Sequence, residues 1–114
     1  MKDSNLSTFW PSFETAWNAH DAKAVAAHFS EDAAFKFVDG RELNGRDAVE
    51  AFYNETFARM PQDWFHRIES ETKTPTGSRG FLTIRNQLDE TVMSIHHDLV
   101  LAGDRIIQKL TLAQ

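Results

Sequence analysis

Five histidines, one tyrosine and no cysteine define the side-chain chemistry open to this 114-residue chain. Side chains alternate faces along a strand, so parity sorts the strand-patterned second half into an inner and an outer set. Met93, Ile95, His97, Leu99 and Leu101 share one face, apolar but for His97, which therefore points inward. Trp64, His66 and Ile68 make a second inward set. In the last strand Ile106, Gln108, Leu110 and Leu112 are the apolar set, which turns Gln108 inward and Ile107, Lys109 and Thr111 outward. A turn at Asp89-Glu90 pairing Leu88 with Thr91 brings Leu82, Ile84 and Asn86 inward; a slip of one residue brings in Phe81, Thr83 and Arg85 instead.

With the Tyr53 hydroxyl, these are the few polar groups of an interior walled by Phe13, Trp17, Phe35, Phe37 and Trp64. An imidazole, with an unperturbed pKa of about 6.5, gives and takes protons near neutrality, and desolvation lowers that value. His97, and after it His66, are thus the candidate acid/base catalysts. Tyr53 and Gln108 join the aromatic residues as candidate ligand contacts. The competing reading is a chemically idle histidine, hydrogen-bonded to a neighbour inside the core.

Other chemistries find no support in the residues. His96 and His97 are adjacent on a strand, so their rings point to opposite faces; His96 and Asp98 share a face but supply only a pair of ligands, short of a zinc set. No metal site is expected. No nucleophile elbow, phosphate loop or dinucleotide fingerprint occurs, so no cofactor is expected either. Seventeen acidic against twelve basic residues give a net charge of −5, and with no Lys/Arg cluster the chain is not expected to bind nucleic acid. No apolar run approaches a membrane span, and the absence of cysteine suits the cytoplasm.

The elements that must position these groups follow from periodicity. Phe9, Phe13, Ala16 and Trp17 stripe a first helix starting near Ser7 or Thr8, with Pro11 in its first turn. Asp21 is placed to cap a second helix, on which Val25, Ala26 and Phe29 share a face. Period two then brings Phe35 and Phe37 together on a strand ending at Val38. Asp39-Gly40 is a hairpin signal, Arg41-Glu42-Leu43 a short strand and Asn44-Gly45 a turn. Val49, Phe52, Tyr53, Phe57 and Met60 mark a third helix over 46–60, ended near Pro61. Strands follow from Trp64 to a turn at Thr74–Ser78, over 80–88, over 91–101, and over 105–112 after Ala102-Gly103-Asp104. Helices first and a strand meander after predict one α+β domain over 1–114, three N-terminal helices packed on a sheet of about six strands. Nine Phe and three Trp supply both core and cavity lining.

The run from Trp17-Asn18-Ala19-His20-Asp21-Ala22 through His28-Phe29 and Glu31-Asp32-Ala33 to Phe35, followed by Leu43 to Phe52, strongly resembles the SnoaL-like branch of the nuclear-transport-factor-2-like superfamily. The resemblance implies a cone-shaped roll, a strongly curved, mostly antiparallel sheet around a pocket. Proteins of that superfamily use the pocket for isomerisation, aldol-type cyclisation, dehydration, epoxide hydrolysis or simple binding. Aligned on the shared motifs, Phe37 stands where ketosteroid isomerases carry their carboxylate base. Phe13 stands where their enolate-holding tyrosine lies, and His96 or His97 replaces the oxyanion-hole aspartic acid. The late-strand carboxylate of polyketide cyclases is absent too. Two readings follow: histidine-based isomerase, cyclase or dehydratase chemistry on a small, largely apolar carbonyl compound, or the same pocket as a non-catalytic ligand-binding or dimeric interaction module. On the outer sheet face Phe81, Val92, Val100 and Ile107 are apolar where a solvated sheet is polar, and the resemblance implies a homodimer through that face.

Overall fold

Pro11 sits in the first turn of α1 (Trp10–Asn18), where a missing N–H leaves no helical bond unmade. The structure, a computed structural model, describes residues 9–102 and 105–113 and the side chains of 9–102 and 105–109, so the expected helix start at Ser7 or Thr8 and the Gly103-Asp104 turn lie outside the described residues. α1 buries Trp10, Phe13, Ala16 and Trp17 along one stripe. His20 then turns the chain in the left-handed region at φ 55°, and Asp21 Oδ1 accepts the Ala24 N–H at 3.1 Å to cap α2 (Ala22–Ala26), as its type and place predict.

α2 ends sooner than its apolar spacing suggests. The His28 Nδ1–H donates back to the Ala24 and Val25 carbonyls, closing the helix, and Phe29 opens β1 (Phe29–Lys36) as a fully buried strand residue. Gly40 at φ 94° turns the hairpin into β2 (Glu42–Asn44), and Gly45 at φ 93° leads into α3 (Arg46–Arg59), which buries Val49, Tyr53 and Phe57. β3 (Phe65–Thr74), β4 (Gly77–Arg85), β5 (Thr91–Ala102) and β6 (Arg105–Ala113) complete the chain. Strand order is β2-β1-β6-β5-β4-β3, antiparallel except for β1 beside β6. The architecture is the expected one: three helices on a curved, open, mostly antiparallel six-stranded sheet.

Two registers differ from the sequence reading. Arg85 pairs with Thr91 and Ile84 with Met93, so residues 86–90 form the β4–β5 turn, closed by Asn86 N–H to the Glu90 carbonyl at 3.1 Å. Up to Ile84 the pairing is shifted by two places, an even number, so Leu82 and Ile84 remain inward. A register break then sets Arg85 opposite Thr91, and Asn86 belongs to the turn, where its amide donates to Glu90 Oε1. In β6 the consequence is larger. Val100 pairs with Gln108 and Leu101 with Ile106, leaving Ile107 as a bulged extra residue. Ile106 is buried and Ile107 exposed as expected, but beyond the bulge parity inverts. Gln108 lies opposite Val100 on the outer face, and Lys109 turns inward beside Phe35. β1 breaks register at the same level, between Phe29 and Ala34, where the sheet must curve around the helices.

His97 does face inward, and it is fully buried. Its ring stacks on Trp10 at 5.6 Å and lies across Gly80, where a Cβ would come within 2.6 Å of Nε2, so only glycine fits. Neither ring nitrogen has a hydrogen-bond partner among the described residues. Burial, with the positive Lys109 assisting, pushes the imidazole pKa down to about 2.

That depression makes a pH prediction. Below an unfolded-state pKa of about 6.5 the unfolded chain takes up a proton that folded His97 refuses. Stability present above that pH is therefore lost as pH falls, at about 1.4 kcal/mol per pH unit. His97→Phe removes the proton site, so the stability lost between about pH 7 and about pH 5 in urea unfolding should shrink by about 2 kcal/mol. Equal losses in variant and parent would refute the assignment.

Candidate functional site

A cavity of about 500 Å³ opens between α3 and the concave side of the sheet. Trp17, Phe35, Phe37, Tyr53 and Trp64 line it, as their positions in the sequence suggest. Three residues expected there lie elsewhere. Phe13, one helical turn before Trp17, packs against Trp10, His28 and His66 in the core. Gln108 is on the outer face because of the β6 bulge. His97 is sealed beneath Trp10 and Gly80 and does not reach the cavity wall.

His66 is the histidine that lines this cavity. Its Nδ1–H donates to Glu14 Oε2 at 2.8 Å, and the same carboxylate oxygen accepts the Ile68 N–H at 2.7 Å. One turn further along α1, Asn18 Oδ1 accepts the His66 N–H at 2.8 Å. These three bonds hold the imidazole between a helix and a strand, engage Nδ1 and so fix the tautomer, leaving Nε2 as the nitrogen that can accept a proton. Burial lowers the pKa of His66; the hydrogen bond and charge of Glu14 oppose the shift and Lys109 adds to it. The ring is therefore neutral near pH 7, with its proton on Nδ1 and a lone pair on Nε2.

Two other buried polar groups, Tyr53 and Lys109, share the cavity, with Thr56 half-buried on its wall. Burial raises the Tyr53 pKa, so its hydroxyl stays protonated and can donate a hydrogen bond. Lys109 is 6% exposed, with Nζ 5.2 Å from the Phe35 ring centroid, and burial pushes its pKa down to about 8. Arg41 and Arg59 stand at the exposed rim, paired with Asp39 at 2.9 Å and Glu55 at 3.1 Å.

The remaining histidines have structural partners. His20 Nε2–H donates to the Trp64 carbonyl at 3.1 Å while its ring stacks on Phe57, tying the α1–α2 corner to α3. His28 bonds the end of α2 and, through Nε2, Ser12 Oγ at 3.0 Å. His96 is exposed against Phe81. Among the described residues no group of three His, Asp or Glu side chains is placed to hold a metal, and no helix is long and apolar enough to cross a membrane.

A model of the SnoaL-like domain matches residues 12–108, most of the chain. The chain belongs to the SnoaL-like domain family. Solved structures agree on the fold of this SnoaL-like domain. A candidate polyketide cyclase from Sinorhizobium meliloti superposes with a TM-score of 0.77 at 12% identity, covering 98% of this chain and 100% of that one. A Nostoc punctiforme protein of unknown function with a cystatin-like fold gives 0.75 at 15% identity over 93% and 86%. A Catenulispora acidiphila protein with a ketosteroid isomerase-like fold, in complex with trimethylamine, gives 0.72 at 13% over 94% and 85%. Identities this low establish shared architecture, not shared chemistry. No curated protein matches the chain in sequence.

In this SnoaL-like domain, sequence reasoning missed Glu14, Asn18 and Lys109. Glu14 and Asn18 carried a signal: two acceptors at i and i+4, each next to a residue of the apolar stripe, Phe13 and Trp17. Lys109 also had one, since the Ile106-Ile107 doublet breaks strict alternation, as a bulge does. Glu14→Ala removes the acceptor of two buried donors and Asn18→Ala that of one. We expect losses of about 2–4 and about 1–2 kcal/mol respectively in urea unfolding at neutral pH. A Glu14 loss no larger than that of Asn18 would contradict this ranking.

Proposed function

We propose that this SnoaL-like domain binds a small, largely apolar carbonyl compound and transfers a proton on it, with His66 as the acid/base group. The Glu14–His66 hydrogen bond carries this reading. A carboxylate on Nδ1 orients the ring, keeps Nε2 free to accept a proton, and stabilises the imidazolium once it forms. His97, the sequence's first candidate, packs beneath Trp10, so the catalytic role falls to His66. Tyr53 serves as the hydrogen-bond donor that orients a substrate oxygen, and the aromatic wall holds the apolar body. The isomerase-like and cyclase-like descriptions of two structural neighbours support the reaction class, and the cysteine-free composition supports the cytoplasm.

The probe is 5-nitrobenzisoxazole, whose N–O bond breaks as a base removes the ring C–H proton, releasing a coloured phenolate. The protein should accelerate this opening above buffer. His66→Gln should lower the rate by about 10²-fold or more and Glu14→Gln by about tenfold, while His97→Asn leaves it unchanged. Because the His66 pKa is lowered, the rate should hold through neutrality and fall only below about pH 6.5. A His66→Gln variant as fast as the parent leaves the non-catalytic ligand-binding reading.

We also propose a homodimer through the outer sheet face. Val92 and Ile107 are exposed there, Val100 is half-buried, and Phe81 packs on the His96 ring at 4.7 Å. Sedimentation at micromolar concentration should give twice the chain mass; a monomer alone would exclude it.

A further inference from the structure

The chain is acidic overall, yet its cavity is not. Among the described lining residues are Arg41, Arg59, His66 and Lys109, and no Asp or Glu. The rim arginines have acidic partners in Asp39 and Glu55. Lys109 is different: it is buried against Phe35 and forms no ion pair or hydrogen bond with any described residue. Glu14, the carboxylate behind His66, is engaged by the His66 Nδ1–H and the Ile68 N–H. The face of Phe35 offsets only part of the cost of holding an ammonium out of water. An anion entering the cavity would relieve it, since attraction between opposite charges strengthens where water is excluded.

We propose that the ligand carries a carboxylate that pairs with Lys109 while its apolar body packs on Trp17, Phe35, Phe52 and Leu82. This rests on the reading of the cavity as the ligand site and narrows its substrate class to small apolar acids. It also accounts for a lysine at this depth: the β6 bulge turns a cation, rather than the amide of Gln108, toward the aromatic wall.

The experiment is calorimetric titration of the full chain with 1-naphthoate and with 1-naphthamide, which share a ring system and differ in charge. Naphthoate should bind at least about tenfold more tightly. Lys109→Met should bring naphthoate down to the affinity of naphthamide and leave naphthamide within about twofold of the parent. Equal affinities in the parent, no binding of naphthoate at about 1 mM, or a preference that survives Lys109→Met would overturn the proposal. So would a preference that survives Lys109→Met but is lost in Arg41→Gln, which would move the charge to the rim. Should Lys109→Met fail to fold, Lys109→Gln and the parent comparison decide. Failure here is separable from failure of the catalytic reading. A parent that opens benzisoxazole through His66 yet binds both naphthalenes equally loses only the anion. One that prefers naphthoate yet opens nothing loses only turnover.

Discussion

The spacing match between α1 and the free edge of β3 is the constraint on which the site depends. Four residues of α-helix rise about 6 Å, and two residues of strand advance about 6.6 Å. Acceptors at Glu14 and Asn18 therefore meet the outward N–H groups of Ile68 and His66 in step. Trp10, four residues before Glu14, continues the series by donating its indole N–H to Glu71 at 3.2 Å. The helix runs antiparallel to the strand and stands in for a missing neighbour. An edge that would otherwise invite pairing with another chain is covered, and the same bonds set His66 against the cavity.

Trp10 also divides the two inward histidines. Its ring stacks on His66 at 5.8 Å and on His97 at 5.6 Å, so residues of one type meet the same indole with different outcomes. His66 has a carboxylate on one nitrogen and a cavity beside the ring. His97 has Gly80 where a side chain would otherwise be, and no described partner for either nitrogen. Facing inward is thus a weak criterion for chemistry. What separates the two is whether the fold supplies an orienting partner and an open volume.

Much of the fold was legible because its signals are local. Asp21 capped the helix it precedes, Gly40 and Gly45 turned the chain where they stood, and α3 followed its apolar repeat. Parity placed Leu82, Ile84, His66 and His97 correctly because it needs only alternation. It exchanged Gln108 for Lys109 because a bulge alters the count without altering the pattern on either side. It could not distinguish His97 in the core from His66 at the cavity, since depth depends on which helix residue lies above, here Trp10. Glu14 escaped because its function resides in a strand more than fifty residues later.

The β6 bulge also bears on how such pockets diversify. Gln108 and Lys109 owe their faces to the one extra position, Ile107. Were Ile107 to pair as an ordinary strand residue, strict alternation from Ile106 would send Lys109 to the outside and Gln108 into the aromatic chamber. No residue would be substituted, yet a cationic interior would become neutral. In a roll of this kind, whether a strand bulges or runs straight is a route to new ligand chemistry as direct as replacement of a lining residue. It also leaves the helices and the Glu14–His66 pair in place.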